Sequence, residues 1–342
     1  MKHIVIIGGG IAGIETAGAL TDAGHWVTVV EKESEIGGKL NNWSYLFPDF
    51  TTAKSIKNAL KEHIRQKDFT LMCETEIKTI ERNTDKFQLE TSANQQLEAD
   101  AIVVATGYEV FDARRKEEYG YKIYDRVITS ADFETLLKED GGVKFASGKN
   151  PERIAFVHCV GSRDEKSGNH YCSKVCCITG VKQAIELKKQ LPDAEIYCFY
   201  MDLRMYGKYF EELYRTAQEK YDIQFIRGRV SEASEKIDRS IMIKAEDTLS
   251  GRPLKMNVDL LVLLVGMEAG KGTVATASKC KLNCDDSGFL QTADSFLHSN
   301  LSSREGIFLA GSCTAPMSFN DTINHARSAA VEVNAWLLNN GK

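Results

Sequence analysis

"HIVIIGGGIAGIETAGALTDAGHWVTVVEK", residues 3–32, decides how the rest of the chain is read. His3 to Ile7 is apolar and β-branched and runs into three glycines, the pattern of a buried strand ending in a tight turn. Ile14, Ala17 and Leu20 then recur at helical spacing, and Gly24 stops that helix. "HWVTVVEK" reads as a second strand, so the stretch is one βαβ unit. Gly8-x-Gly10-x-x-Gly13 lies between strand and helix. In that context the glycines let the turn close and the backbone approach a pyrophosphate, while the helix N-terminus supplies N–H donors and a positive dipole end. Glu31 ends the second strand, at the spacing of an acid that bonds ribose hydroxyls. A dinucleotide site is expected here.

Working outward, 342 residues are enough for two domains. Hydrophobic residues at 43% and charged residues at 27% are ordinary globular composition. A net charge of −5 indicates no general affinity for nucleic acid or an anionic membrane. The longest apolar runs, "AIVVATG" (101–107) and "LLVLLVG" (260–266), are far too short for a membrane span and read as buried strands. The apolar run at the start stops at the glycine cluster, so it is not read as a signal peptide and a cytoplasmic location is expected. In such a reducing compartment, clustered cysteines point to metal binding or catalysis rather than structural disulfides.

The chain's order suggests an α/β protein with one nucleotide-binding domain built from both chain ends and a second domain inserted between them. Residues 1–112 plus 285–342 form the first domain, 113–152 a connector with local helix at 130–138, and 153–284 an inserted α/β domain. The pattern predicts a helix over 54–67, then short strands "EIKTIER", "KFQLET" and "AIVVATG". "RIAFVHCVG", a helix across 179–190, "AEIYCFYMDLR", a helix across 209–220 and "IQFIRGRV" follow, then the strands "SIMIKAED" and "VDLLVLLVG". A strand "GIFLAGS" (306–312) and a helix of about 320–338 close the chain. "EDGGVKFASGKNP" (139–151) is the best linker candidate.

"EKESEIGGKL" adds Gly37 and Gly38 after the acid and resembles the extended flavoprotein signature that passes under ribityl and phosphate. "AIVVATG" resembles the Ala-Thr-Gly turn of the same proteins, and "GIFLAGS" their third signature. Together these resemble the two-dinucleotide-binding-domain flavoproteins of the thioredoxin and glutathione reductase type. The resemblance implies FAD, with contacts at Gly8, Gly10, Ile11, Ala12, Gly13, Glu31, Lys32, Gly38, Lys39, Leu40, Ile77, Ala105, Thr106, Gly107, Gly311 and Ser312. Many relatives carry Asp where this chain has Ser312. It also implies that the last helix aims its first N–H groups, around Thr322 and Ile323, at the pyrimidine end of the ring.

"HCVGSRDEKSGNHYCSKVCC" (158–177) stands where reductases of that type carry a second glycine motif for NAD(P)H. Two of the three expected glycines are missing, so direct hydride transfer from a nicotinamide is disfavoured. Cys159-x12-Cys172-x3-Cys176-Cys177 lacks the paired C-x2–4-C of zinc sites and the ferredoxin run. Four thiolates suffice for a [4Fe–4S] cluster, and spacing alone leaves a disulfide, zinc and a cluster open. Cys198 reads as core, Cys73 as incidental, Cys280-x3-Cys284 as a candidate second ligand pair, and Cys313 as core or flavin-facing.

"CVGSRDE…YCSKVCC…KQA", followed by "YMDLRMYGKYFEELYRTAQEKYDIQFIRGRV", resembles the A-type component of heterodisulfide reductases. That family's four cysteines hold a [4Fe–4S] cluster near the flavin, which implies Cys159, Cys172, Cys176 and Cys177 as ligands here. The ferredoxin-type domains of the large methanogen proteins are missing from this sequence, so it looks like the short A-type component of heterodisulfide-reductase-like complexes in sulfur oxidisers. The resemblance implies an electron-transfer flavoprotein with B and C partner subunits. The chain is also expected to form a homodimer. Lys182 could place a cation near the flavin. "YMDLRMYGKYFEELY" reads as a face for a partner or second copy. The alternatives are a stand-alone NAD(P)H-dependent flavin disulfide reductase and a scaffold that keeps FAD for stability.

Overall fold

A computed structural model describes residues 1–65, 68–138 and 149–340. The chain forms two compact units, one from residues 1–41, 54–109 and 268–342, the other from 42–53 and 110–267. It is an α/β fold in which each unit is built on a mainly parallel sheet.

The first unit is built on a seven-stranded sheet in the order 292–294, 298–302, 307–309, 101–104, 3–7, 26–30, 70–72. The strands from 307–309 to 70–72 run parallel. Strand 3–7 shows why the run reads as continuously apolar: its residues alternate between two cores. Ile4 and Ile6 pack with Ala17, Leu20, Ala326 and Val333 of the helices Ile11–Asp22 and Phe319–Asn340. Val5 and Ile7 pack on the other face with Phe87 and Leu89 of a three-stranded antiparallel sheet, Ile77–Asn83, Lys86–Thr91 and Gln96–Ala99.

The second unit repeats the plan. Five parallel strands lie in the order 224–227, 195–200, 153–160, 260–265, 127–129. Ile154 and Phe156 face the helices Ser130–Lys138, Cys176–Gln190 and Phe210–Glu219. Ala155 and Val157 face an antiparallel sheet of strands 230–235, 241–247 and 252–258.

The division differs from expectation in three places. Residues 110–138 belong to the second unit rather than to the first domain or a connector, and Val127–Thr129 pairs with Leu261–Leu263 as its edge strand. Residues 268–284 belong to the first unit, and 42–53 to the second. The latter segment docks through Phe47, edge-on to Phe210 at 5.5 Å, and through Phe50 under Lys189. The strand expected through 204 stops at Tyr200, and the helix expected from 179 starts at Cys176. The linker candidate 139–151 lies almost wholly outside the described residues. Among the described residues no helix is long and apolar enough to cross a membrane.

Candidate functional site

Strand 3–7 ends in Gly8, whose φ of +112° is open to glycine. A Cβ there would lie 2.4 Å from the Ala105 carbonyl oxygen, so glycine lets this turn meet the Ala105–Gly107 turn. At Gly13 a Cβ would lie 1.9 Å from the Gly8 carbonyl oxygen, so helix and turn need that glycine to pack. Gly10 is different. Its φ of −72° suits any residue, and a Cβ there would meet nothing within 4 Å. The chain itself does not require glycine at this position, and space is left in front of the helix N-terminus.

Glu31, buried at the end of strand 26–30, accepts N–H bonds from Gly9 at 2.6 Å and Glu33 at 2.8 Å. It therefore ties the glycine turn to the following loop. That loop returns onto the turn, with Gly37 N–H on the Gly9 carbonyl at 2.8 Å and Gly38 stacked on Gly10. Lys39 stands over the Tyr108 ring at 5.9 Å, and burial lowers its pKa. Leu40 is core, whereas Lys32 is exposed beside Glu33. Ile77 packs in the core, and its carbonyl accepts from Lys279 at 2.6 Å. Thr106 and Thr273 hydroxyls meet at 2.8 Å.

Gly311 has φ +75°, and a Cβ there would lie 2.6 Å from Ala12 and 3.3 Å from Thr322. Ala12, Gly311, Ser312 and the start of the closing helix, with Thr322 and Ile323, thus come together. Sequence reading missed the residue that holds this turn. His325 Nδ1 accepts the Gly311 N–H at 2.9 Å while Nε2 faces the Ser299 carbonyl at 3.2 Å. Burial lowers its pKa, in keeping with a neutral ring that uses both nitrogens. Nothing local in the sequence marks it. Cys280 and Cys313 are core, with burial pushing both thiols up to about 12.

In the second unit, strand 153–160 carries a register irregularity between Val157 and Val160, which re-aims Cys159 at φ +60°. Cys176 and Cys177 open helix Cys176–Gln190. The Cys176 thiol is in hydrogen-bond contact with those of Cys159 and Cys177, and all three are buried. Sharing protons splits them: hydrogen bonding from Cys176 lowers Cys159 and brings Cys177 to about 4, while Cys176 itself is raised. The His158 ring beside Cys177 and the helix N-terminus favour thiolate in the same direction. Half-buried Cys172 accepts the Lys174 N–H at 3.3 Å, and Arg163 stands in the field of both Cys172 and Cys159. Among the described residues, no group of three or more His, Cys, Asp or Glu is arranged around a single metal ion.

The loop between Cys159 and Cys172 is held by its own polar groups. Ser162 Oγ donates to the Tyr171 carbonyl and accepts from Ser173 N–H, both at 3.0 Å, and Ser173 Oγ accepts from Met267 N–H at 2.8 Å. Asp164 is buried against Lys116 at 2.7 Å, which outweighs burial and lowers its pKa. The Phe111 ring fills the space at Gly161, where a Cβ would lie 2.1 Å from it. No cradle for a phosphate is left at that glycine.

Lys182 is buried rather than presented as a free cation. Its ammonium donates to Glu134 at 2.5 Å and to the Tyr45 carbonyl at 2.8 Å, with Glu186 at 3.6 Å. Glu134 also accepts from Ser44 N–H and Gln183. Burial raises the Glu186 carboxyl to about 8.

The model of the pyridine nucleotide-disulphide oxidoreductase family matches residues 1–139. The A component of the H(2):CoB-CoM heterodisulfide, ferredoxin reductase of Methanothermobacter thermautotrophicus is 38% identical over 269 residues, 77% of this chain and 41% of that protein. The iron-sulfur A component of the CoB–CoM heterodisulfide reductase of Methanocaldococcus jannaschii is 29% identical, over 97% of this chain and 64% of that one. The chain is similar to heterodisulfide reductase A components over most of its own length. It spans between about two fifths and two thirds of the length of these relatives. Among solved structures, thioredoxin reductase from Lactococcus lactis matches with a TM-score of 0.67 at 18% identity, covering 99% of this chain and all of that one. Thioredoxin reductase from T. acidophilum matches with 0.65 at 15% identity, covering 98% of this chain and 99% of that one. These show the fold.

Proposed function

We propose that the chain is an electron-transfer subunit carrying FAD in its first unit and a [4Fe–4S] cluster at Cys159, Cys172, Cys176 and Cys177. It would work with B- and C-type subunits of a heterodisulfide-reductase-like complex in sulfur metabolism, as a cytoplasmic homodimer. One observation carries the reading: a cysteine set, three of its four members buried, with a self-supporting loop occupies the turn where a hydride-accepting reductase would bind NAD(P)H.

The residues present fit both groups. FAD would be held at its pyrophosphate by the Gly8–Gly13 turn, where the open space at Gly10 admits it. Glu31, Lys39, Ala105–Gly107 and Gly311–Ser312 line the rest of that site. Cys159 and Cys177, whose thiols are lowered, suit a cluster's need for deprotonated sulfur, and the N–H groups of Lys174 and Arg204 reach Cys172 and Cys177. When bound, FAD supplies paired or single electrons and the cluster single ones. The protein's own part is to exclude water, hold the sulfurs and tune both potentials by N–H donors and burial.

The test is anaerobic purification with flavin, iron and acid-labile sulfide counted per chain, repeated on Cys176→Ser. About four irons per chain, lost in the variant while flavin stays, is the expected result. Zinc in place of iron, or iron kept by the variant, sinks the ligand assignment. Rapid bleaching of the flavin by NADH would favour the stand-alone reductase instead, a reading that the Phe111 ring at Gly161 opposes.

A further inference from the structure

Residues 201–209, "MDLRMYGKY", follow strand 195–200 without regular structure and lie directly on the thiol set. The Asp202 carbonyl is 3.7 Å from Cys177 Sγ, the Arg204 N–H donates to the same sulfur, and the Tyr206 hydroxyl reaches the Lys174 carbonyl at 3.3 Å. The backbone of this lip faces the cysteines, Met201, Leu203 and Met205 pack against the core, and Asp202, Arg204, Tyr206, Lys208 and Tyr209 face water. Tyr206 is 62% and Tyr209 55% exposed, and Arg204 and Lys208 are exposed with them. Tyr209 sits at φ +68°, and the next helix starts only at Phe210.

Charge around the lip is mainly positive. Its single acid, Asp202, lies between two guanidiniums, Arg163 at 2.7 Å and Arg227 at 3.5 Å. Arg204, Lys208 and Lys174 add positive charge around it, on a chain whose net charge is −5. Glu211 and Glu212, exposed in the first turn of the following helix, offset part of that charge and leave the cations in excess. Exposed tyrosines among arginines and lysines are the composition of an interface core with a charged rim. Cys172, half-buried beside this surface, is the least buried of the four clustered thiols.

We propose that the 201–209 lip is the docking surface for an acidic one-electron carrier protein, with electrons passing at the Cys172 edge. This rests on the cluster reading above. In each transfer the reduced cluster loses one electron and the carrier's own redox centre gains it, and no bond or proton moves. Tyr206 and Tyr209 supply contact area, while Arg204, Lys208 and Lys174 steer a negatively charged surface into place.

The test uses inorganic oxidants of opposite charge on the reduced, iron-loaded protein. Ferricyanide and hexaammineruthenium(III) each take one electron, so their rates report the local potential at the exit. In Arg204→Glu/Lys208→Glu at low salt, the ferricyanide rate should fall about tenfold and the ruthenium rate should rise. Both differences should collapse at high salt. An acidic plant-type [2Fe–2S] ferredoxin should bind the wild type at low salt and lose that binding in the variant. Changes of the same sign for both oxidants would report a shifted potential and overturn the proposal. Unchanged rates with unchanged ferredoxin binding would overturn it as well. If the double variant loses iron, Lys208→Glu alone decides by the same opposite-sign criterion. A wild type without iron overturns the cluster reading itself, which the iron count tells apart from failure of docking.

Discussion

The chain makes the same strand-to-helix crossing twice and uses it for opposite purposes. In the first unit, strand 3–7 reaches helix Ile11–Asp22 through Gly8, Gly9 and Gly10. In the second, strand 153–160 reaches helix Cys176–Gln190 only after the loop 161–175. The first crossing leaves space in front of a helix N-terminus, at Gly10. The second fills it, with Phe111 at Gly161 and with cysteine sulfur on the helix's first residues. The same dipole end that suits a pyrophosphate in one unit suits thiolate in the other. One topology therefore serves an anion brought from solution and an anion built into the chain.

The comparison can be broken by substitutions at its glycines. The largest effect is expected at Gly13→Ala, because its Cβ meets the backbone oxygen of Gly8, which cannot swing aside. We expect a loss on the order of 4 kcal/mol or failure to fold, read by thermal unfolding. Gly161→Ala should cost less, about 2–3 kcal/mol, since its φ of +70° penalises a Cβ but the Phe111 ring can yield. Pairing it with Phe111→Leu should recover part of that loss. A cost at Gly161 equal to that at Gly13 would show that the ring is not what fills the turn.

A third prediction concerns the buried acid. The Glu186 carboxyl, raised to about 8, stays protonated in the folded unit where the unfolded chain would ionise. The unfolded state therefore gives up its proton first, and stability should decline as pH rises from about 4.5 toward 8. Glu186→Gln should flatten that slope and gain about 1–2 kcal/mol at pH 8, measured by urea unfolding across pH. An unchanged slope would mean that Lys182 keeps Glu186 ionised. The smallest stability effect is expected at Gly10→Ala, within about 1 kcal/mol, because the chain itself leaves that space open. Flavin affinity should nonetheless fall tenfold or more, about 1.4 kcal/mol, by titration of the flavin-free protein. Unchanged affinity there would remove the ligand from the Gly10 cradle.

Much of the first unit was legible because its signals are local. Gly8 and Gly13 sit at fixed offsets from a strand and a helix, and each answers a short-range steric demand. His325 was not legible, since a lone histidine on a helix says nothing until the Gly311 N–H is opposite it. Lys182 illustrates the limit in the other direction. Its helical position was clear, but its partners, Glu134 and the Tyr45 carbonyl, come from segments far away in the chain.

By itself the sequence determined two βαβ frameworks, the glycine turn in one and the four cysteines in the other, because periodicity and turn stereochemistry act over a few residues. Only the tertiary structure decided that 42–53 leaves the first unit for the second, that Val127–Thr129 completes a parallel edge, and that Phe111 closes the second turn. Those choices rest on non-local burial and on satisfying buried polar groups, such as Ser44 N–H on Glu134. Neither demand leaves a pattern in the neighbouring residues.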